Sequence, residues 1–216
     1  MKTLATITGP GVFAKAFGVS RETADRLGIY ADLLKRWQKA VNLVAPSTLP
    51  ELWHRHIADS AQLAALFPAD AKRHADLGSG GGFPGLVLAI MLAERGGVTT
   101  ILIESDQRKS AFLRDVARQT GIAVEIVTKR IEIAETRAMV GSVDVVTARA
   151  LAPLDRLFGL SAPICTASSL CLFLKGRGVE QELADAHRTW RFDHRLVPSL
   201  TQDGAYVVEV RHLSPV

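Results

Sequence analysis

The residues best suited to chemistry lie in one short run, Asp76-Leu-Gly-Ser-Gly-Gly-Gly-Phe-Pro-Gly85, which sets five glycines within eight residues just behind an acid. A turn of this composition, between a strand and a helix, lets a ligand approach the backbone closely. Gly80, Gly82 and Gly85 satisfy the G-x-G-x-x-G spacing, and Glu104 follows at the end of the next strand, where a carboxylate can accept hydrogen bonds from both ribose hydroxyls of a nucleoside cofactor. The spacing alone serves a dinucleotide as well as S-adenosylmethionine. Asp76 favours the second, because a carboxylate at the exit of the first strand can help hold that cofactor's ammonium group and would be repelled by a pyrophosphate. A purely structural turn and cap would not require strand, loop, helix and acid to occur in this order.

A methyl donor leaves the acceptor open, and missing groups narrow it. Methylation of carbon 5 of a pyrimidine needs a cysteine nucleophile. Cys165 is expected in a helix and Cys171 in a core strand, both as packed thiols. An exocyclic amine usually calls for an Asn/Asp-Pro-Pro-aromatic turn after the fourth strand, where this chain has Thr147-Ala-Arg-Ala-Leu151. Arg149 puts a permanent cation beside the expected transfer site and cannot act as a base. A ring nitrogen with a free in-plane lone pair, such as guanine N7, needs only positioning and electrostatics. Arg108-Lys109 and Lys175-Gly176-Arg177 add cations on the same edge of the sheet. His54 and His56 are two apart and diverge on a helix, so no metal site is expected.

Short β-branched runs position these groups. Strands are expected at 75–77, 99–104, 124–128, 143–147 and 170–174, with helices at 84–95, 107–120, 154–164 and 179–188. Their alternation predicts right-handed crossovers and a parallel sheet covered on both faces. Residues 191–197 and 206–213 lack a helix between them and predict a terminal antiparallel hairpin. The fold class is therefore α/β, a seven-stranded, mostly parallel Rossmann-like sheet of the class I methyltransferase type. Before it, Leu27, Tyr30, Leu34, Trp37, Val41 and Val44 recur at helical spacing and predict a helix over 21–43. Thr48-Leu-Pro-Glu51 reads as a capping box opening a second helix to about Leu66. Residues 1–71 are thus expected to form a helical lobe and residues 72–216 the S-adenosylmethionine domain.

The chain has 216 residues, 48% of them apolar and 22% charged, which excludes a disordered or fibrous protein. The longest near-apolar run, Phe83 to Ala93, is too short to span a membrane, and the N-terminus lacks a signal peptide's apolar region. Two cysteines make no disulfide framework, so a reducing cytoplasm is expected. Net charge is +4, and its placement matters more than its size. Up to Ala75 there are ten Lys and Arg against six Asp and Glu, whereas the remainder balances at sixteen each. The cationic excess thus lies in the helical segment, the side on which a nucleic acid, if one is bound, would be expected to dock.

Six ordered segments resemble a known family: Trp37-Gln-Lys-Ala-Val-Asn-Leu43, Arg55-His-Ile-Ala-Asp-Ser60, the Asp76–Gly85 loop, Arg108-Lys-Ser-Ala-Phe-Leu113, Arg149-Ala and Leu174-Lys-Gly176. Together they resemble the bacterial ribosomal RNA small subunit methyltransferase G family, also called glucose-inhibited division protein B, over about Leu33 to Leu213. The resemblance implies methyl transfer from S-adenosylmethionine to N7 of the 16S rRNA guanine conventionally numbered 527. It implies 16S rRNA or the small ribosomal subunit and its precursors as partner, with no membrane and no metal. By the same resemblance Gly78 and Phe83 line the methionine end, Glu104 holds the ribose, Ile131 and Glu132 flank the adenine, and Arg149 stands beside cofactor and base. Gly80 and Asp76 belong to the same loop, while Arg55, His56, Lys109 and Lys175 are carried over to RNA contact. The residues themselves leave open another RNA base, a small molecule or a protein as acceptor, a dehydrogenase, and an RNA-binding assembly factor with a vestigial pocket.

Overall fold

The computed structural model describes residues 3–216, so the first two residues of the expected helical lobe lie outside the described residues. Helix α1 (Pro10–Phe17) opens with proline in its first turn and closes on Gly18 at φ 64°. Helix α2 (Arg21–Trp37) starts on Ser20, whose side chain accepts the Thr23 N–H, and buries Leu27, Tyr30 and Leu34. It stops six residues short of the expected Leu43. There the Gln38 side chain accepts the N–H groups of Leu43 (2.9 Å) and Val44 (3.0 Å) and donates to the Val44 carbonyl (2.8 Å), so it replaces the next helical turn with a tight loop.

The expected second helix is instead a chain of short turns. A 3-10 turn (Pro46–Glu51) leads into a π-helical turn (Trp53–Ala58), one α-turn, α3 (Asp59–Ala61), and a second 3-10 turn (Gln62–Leu66). The capping box does not form. The Thr48 hydroxyl donates to the Ala45 carbonyl and receives His56 Nε2, so it is not free to cap a helix.

Strands β1 (Arg73–Leu77), β2 (Thr99–Ile103), β3 (Glu125–Val127), β4 (Val143–Arg149) and β5 (Cys165–Lys175) run parallel. Helices α4 (Gly85–Leu92), α5 (Gln107–Thr120), α6 (Ala134–Val140) and α7 (Leu154–Ser161) connect them, and α8 (Val179–Ala186) follows β5. The hairpin β6 (Trp190–Pro198) and β7 (Tyr206–Pro215) is antiparallel, and β7 inserts between β5 and β6. The sheet order is β3-β2-β1-β4-β5-β7-β6, a seven-stranded, mostly parallel sheet ending in an antiparallel hairpin, as the α/β reading expected. Strand order reverses at β1, between β2 and β4, which opens a crevice at the carboxyl ends of the strands.

Two further differences have local causes. Cys165 opens β5 rather than closing a helix, because α7 ends at Ser161 ahead of Pro163; its Sγ lies 3.7 Å from that of Cys171. Helix α6 was not foreseen. The apolar run after Phe83 is α4, apolar on all sides because it is covered on all sides: Leu86, Val87 and Ile90 join the core of α1, α2 and α5, and Leu88 and Leu92 join Leu63, Phe67 and Leu172. No helix among the described residues is long and apolar enough to cross a membrane. Helices α7 and α8 pack Leu157, Phe158 and Val179 on the opposite face of the sheet.

Candidate active site

The glycine loop leaves β1 through Gly78 at φ 65°, a backbone conformation that favours glycine, and a Cβ there would also displace the exposed Leu151 side chain, whose Cδ1 would stand 2.7 Å away. The Ser79 N–H donates to the Ile103 carbonyl (3.1 Å) and thus ties the loop to β2. Glu104, at the exit of β2, accepts the Gly80 N–H (2.8 Å) and the Asp106 N–H (2.7 Å). Gly85 allows α4 to start against the strand: a Cβ there would lie 2.5 Å from the Asp76 Cβ. Around the loop runs a cavity of about 370 Å³, walled by Gly78, Gly80, Glu104, Lys109, Ile131, Glu132 and Leu151. Its size is that of a small-molecule site.

A second cavity, about 330 Å³, lies next to it and shares Ala150. Asp59, Arg149, Lys175, Gln202 and Tyr206 are among its walls. Ala150 sits at φ 52°, a conformation rare for a residue with a side chain, directly where the two cavities meet.

Arg149 is the fixed point of this edge. Its NH2 donates to His56 Nδ1 (2.7 Å) and its NH1 to the Arg55 carbonyl (3.1 Å), while the guanidinium lies over the Phe83 ring at 5.0 Å. The π-turn is what points the Arg55 carbonyl and the His56 ring at it. Since Arg149 can only donate, His56 Nδ1 accepts, so Nε2 carries the proton and donates to Thr48 Oγ1 at 2.7 Å. Burial, then the charges of Arg149 and Arg55, push the His56 pKa down to about 3, and the ring is neutral at physiological pH. Asp59 stands 3.7 Å from Arg149 NH1 and accepts from Thr201 (2.7 Å) and Gln62 (2.9 Å) through Oδ1. Burial pushes its pKa up, against the pull of Arg149.

Beneath the loop a second relay runs from His74 Nε2 to Thr147 Oγ1 (2.8 Å) and from Thr147 Oγ1 to Asp76 Oδ1 (2.7 Å). Asp76 Oδ2 is buried with no hydrogen-bond partner. Burial raises the Asp76 pKa to about 6, opposed first by Thr147 and Ser79 and weakly by Arg149, and lowers that of His74 to about 3. The buried Tyr30 hydroxyl donates to the Gly81 carbonyl and so props the loop from α2.

A family model described as rRNA small subunit methyltransferase G matches residues 23–208. The chain belongs to the rRNA small subunit methyltransferase G family. A relative of that name from Parvibaculum lavamentivorans is 53% identical over 201 residues, covering 93% of this chain and 88% of its own. Another, from Paramagnetospirillum magneticum, is 52% identical over 206 residues, covering 95% and 97%. The fold matches that of the O-methyltransferase from Bacillus cereus in complex with SAH, with a TM-score of 0.60 at 11% identity over 94% of this chain and 96% of that one.

Against this rRNA small subunit methyltransferase G frame, the residues singled out in the sequence separate into three groups. Gly78, Gly80, Glu104, Ile131 and Glu132 come together in the first cavity, and Lys109, expected at RNA, stands in the same wall. Asp76 and Phe83 lie behind the loop rather than in the cavity wall, with Phe83 stacked on Tyr30 at 5.3 Å. Among the basic residues Arg55 is 47% exposed, His56 is buried against Arg149, and Lys175 is 11% exposed with its ammonium on the Ala152 carbonyl (2.6 Å) and Glu182 (2.7 Å). Tyr30, Asp59, Leu151, Gln202 and Tyr206 were not singled out. Asp59 was visible inside the Arg55–Ser60 segment, and Tyr30 only as one turn of a helical stripe. Gln202 and Tyr206 carry no local signal, since the hairpin brings them in from across the sheet.

Proposed function

We propose that this protein transfers a methyl group from S-adenosylmethionine to N7 of a guanine in bacterial 16S rRNA, conventionally position 527, with the small ribosomal subunit or its precursors as partner and the cytoplasm as its place of work. The observation that carries this reading is the pair of cavities meeting at Ala150 on the carboxyl edge of the sheet, one edged by a strand-end carboxylate and the other by a fixed guanidinium. The residues fit the cofactor: Glu104 faces the ribose position, the Gly78 turn leaves room that a Cβ would fill, and the unpartnered Asp76 Oδ2 puts negative charge behind the loop for an ammonium group. Ile131 and Glu132 flank the adenine, and Gly80 and Phe83 shape the loop.

S-adenosylmethionine supplies an electrophilic methyl group. Guanine N7 carries a lone pair and no proton, so the chain has no proton to remove. Arg149, held by His56, Arg55 and Phe83, orients the base and fixes its electrostatic surroundings. The major groove of an A-form helix is too narrow to admit these walls, so the guanine enters from a loop or splayed out of its stack. Residues 1–71, with the cationic excess and the exposed Arg55, form the RNA-contacting part, ahead of a cofactor domain at 72–216. Lys109 and Lys175 act at the cavity rims, Lys175 by holding the loop at Ala152.

Mass-spectrometric mapping of methylated guanines in 16S rRNA from cells with and without this protein tests the reading. N7-methylguanine at the single expected position should vanish with the protein and return with its gene. An unchanged methylation map refutes it.

A further inference from the structure

Asp59 Oδ1 is saturated by Thr201 and Gln62, yet Oδ2 accepts no hydrogen bond among the described residues and stands 3.7 Å from Arg149 NH1. Both side chains line the second cavity, 17% and 18% exposed. Arg149 spends only two of its five N–H groups on His56 and the Arg55 carbonyl. The cavity therefore presents one donor beside one open acceptor, with the half-buried Tyr206 at its edge as an aromatic surface for a base.

We propose that Asp59, paired with Arg149, determines the base: Arg149 donates to guanine O6 while Asp59 Oδ2 accepts from guanine N1–H. This rests on the methylation reading above. On a purine the O6 and N1 positions are adjacent, as the two protein groups are. Guanine offers acceptor then donor, and adenine offers the reverse, an amino group then a bare N1, so adenine would set donor against donor and lone pair against carboxylate. Reading an extruded base by its Watson–Crick edge leaves the opposite edge free for chemistry. Because O6 and N7 border the same side of the ring, an O6 held at Arg149 turns N7 toward Ala150 and the first cavity.

The pair also acts on the reaction itself. As the N7 lone pair forms the new bond to the methyl carbon, the S–C bonding pair stays with sulfur, which becomes neutral, and the positive charge passes to the purine. That charge makes N1–H a stronger donor, so its bond to the Asp59 carboxylate strengthens towards the transition state. Asp59 therefore contributes to kcat as well as to base choice.

The test uses small subunits reconstituted with 16S rRNA carrying guanine, inosine or 2-aminopurine at the target position. All three keep N7, inosine keeps O6 and N1–H, and 2-aminopurine loses both. The wild-type protein should methylate inosine nearly as fast as guanine and 2-aminopurine about tenfold to hundredfold more slowly. Asp59→Asn should lower kcat on guanine by about the same factor, bring the guanine to 2-aminopurine ratio towards one, and leave calorimetric affinity for S-adenosylmethionine unchanged. Wild-type protein that methylates 2-aminopurine as fast as guanine overturns the inference, and needs no variant to fold. So does an Asp59→Asn protein that binds cofactor and keeps the wild-type ratio. Wild-type protein that leaves guanine itself unmethylated overturns the underlying reading instead.

Discussion

The two cavities at the carboxyl edge are built in different ways. The cavity around the glycine loop is edged by Gly78 and Gly80, by Glu104, which already accepts two main-chain N–H groups, and by the side chains of Lys109, Ile131 and Glu132 from the next two strand exits. The second cavity is walled chiefly by side chains, drawn from α3 (Asp59), the exit of β4 (Arg149) and the β6–β7 hairpin (Gln202, Tyr206). The glycine turn of the first cavity and the carboxylate that fastens it come from two consecutive strand exits. A site that must choose among bases needs donors and acceptors from several elements, held by partners that do not touch the substrate, as His56 and Thr48 hold Arg149.

The contrast can be broken experimentally. Arg149→Ala should have the largest effect: kcat should fall about 10²- to 10³-fold while calorimetric cofactor affinity holds, and an equal loss of affinity would place Arg149 in the cofactor half instead. Arg149→Lys should not restore the rate, because an ammonium cannot meet His56 Nδ1 and the Arg55 carbonyl with the same planar spread. Glu104→Ala should do the reverse. The cofactor Kd should rise about tenfold to hundredfold, with kcat at saturating cofactor close to wild type, as read from titration calorimetry and steady-state rates.

Gly85→Ala addresses the support under the loop. Its Cβ would meet the pinned Asp76 side chain at 2.5 Å, so stability should drop by about 1–3 kcal/mol in urea denaturation. Acid should act most gently. The pKa values of His56 and His74 are lowered in the fold to about 3, so their contribution is complete above the ordinary histidine value and is lost as pH falls below it. Asp76, raised to about 6, works the other way, since the fold takes up its proton before the unfolded chain does. Two buried histidines against one aspartate leave a net loss of about 1.4 kcal/mol per pH unit between pH 6 and 4, to which His194, its pKa also lowered by burial, adds and from which Asp59 subtracts. His74→Gln should flatten that slope, and an unaltered slope would remove His74 from the account.

Much of the wall of the first cavity was legible because several of its residues lie close together in the chain. The Asp76–Gly85 run, Glu104 and the β-α alternation each follow from local composition and period, and the seven-stranded sheet formed with its terminal hairpin as expected. Errors arose where a side chain diverted the backbone. Gln38 ends α2 early, and Thr48 binds His56 instead of capping a helix. Helical periodicity recorded Tyr30 as apolar and buried, but gave no hint that it would brace the loop through Gly81 and stack on Phe83, nor that Asp76 would lie beneath the loop.

By itself, the amino-acid sequence determined the succession of the sheet's strands and its terminal hairpin, the glycine loop with its acid, the absence of a general base after β4 and the side of the chain that carries excess positive charge. These are properties of residue type and short spacing, which local sterics and hydrophobic period decide. Tertiary structure alone decided that Asp59, ninety residues before Arg149, would stand 3.7 Å from it with one oxygen open, and that the terminal hairpin would close the wall opposite. Those contacts depend on how the short turn α3, a parallel strand and an inserted antiparallel strand pack together, and no periodicity within any one of them encodes the others.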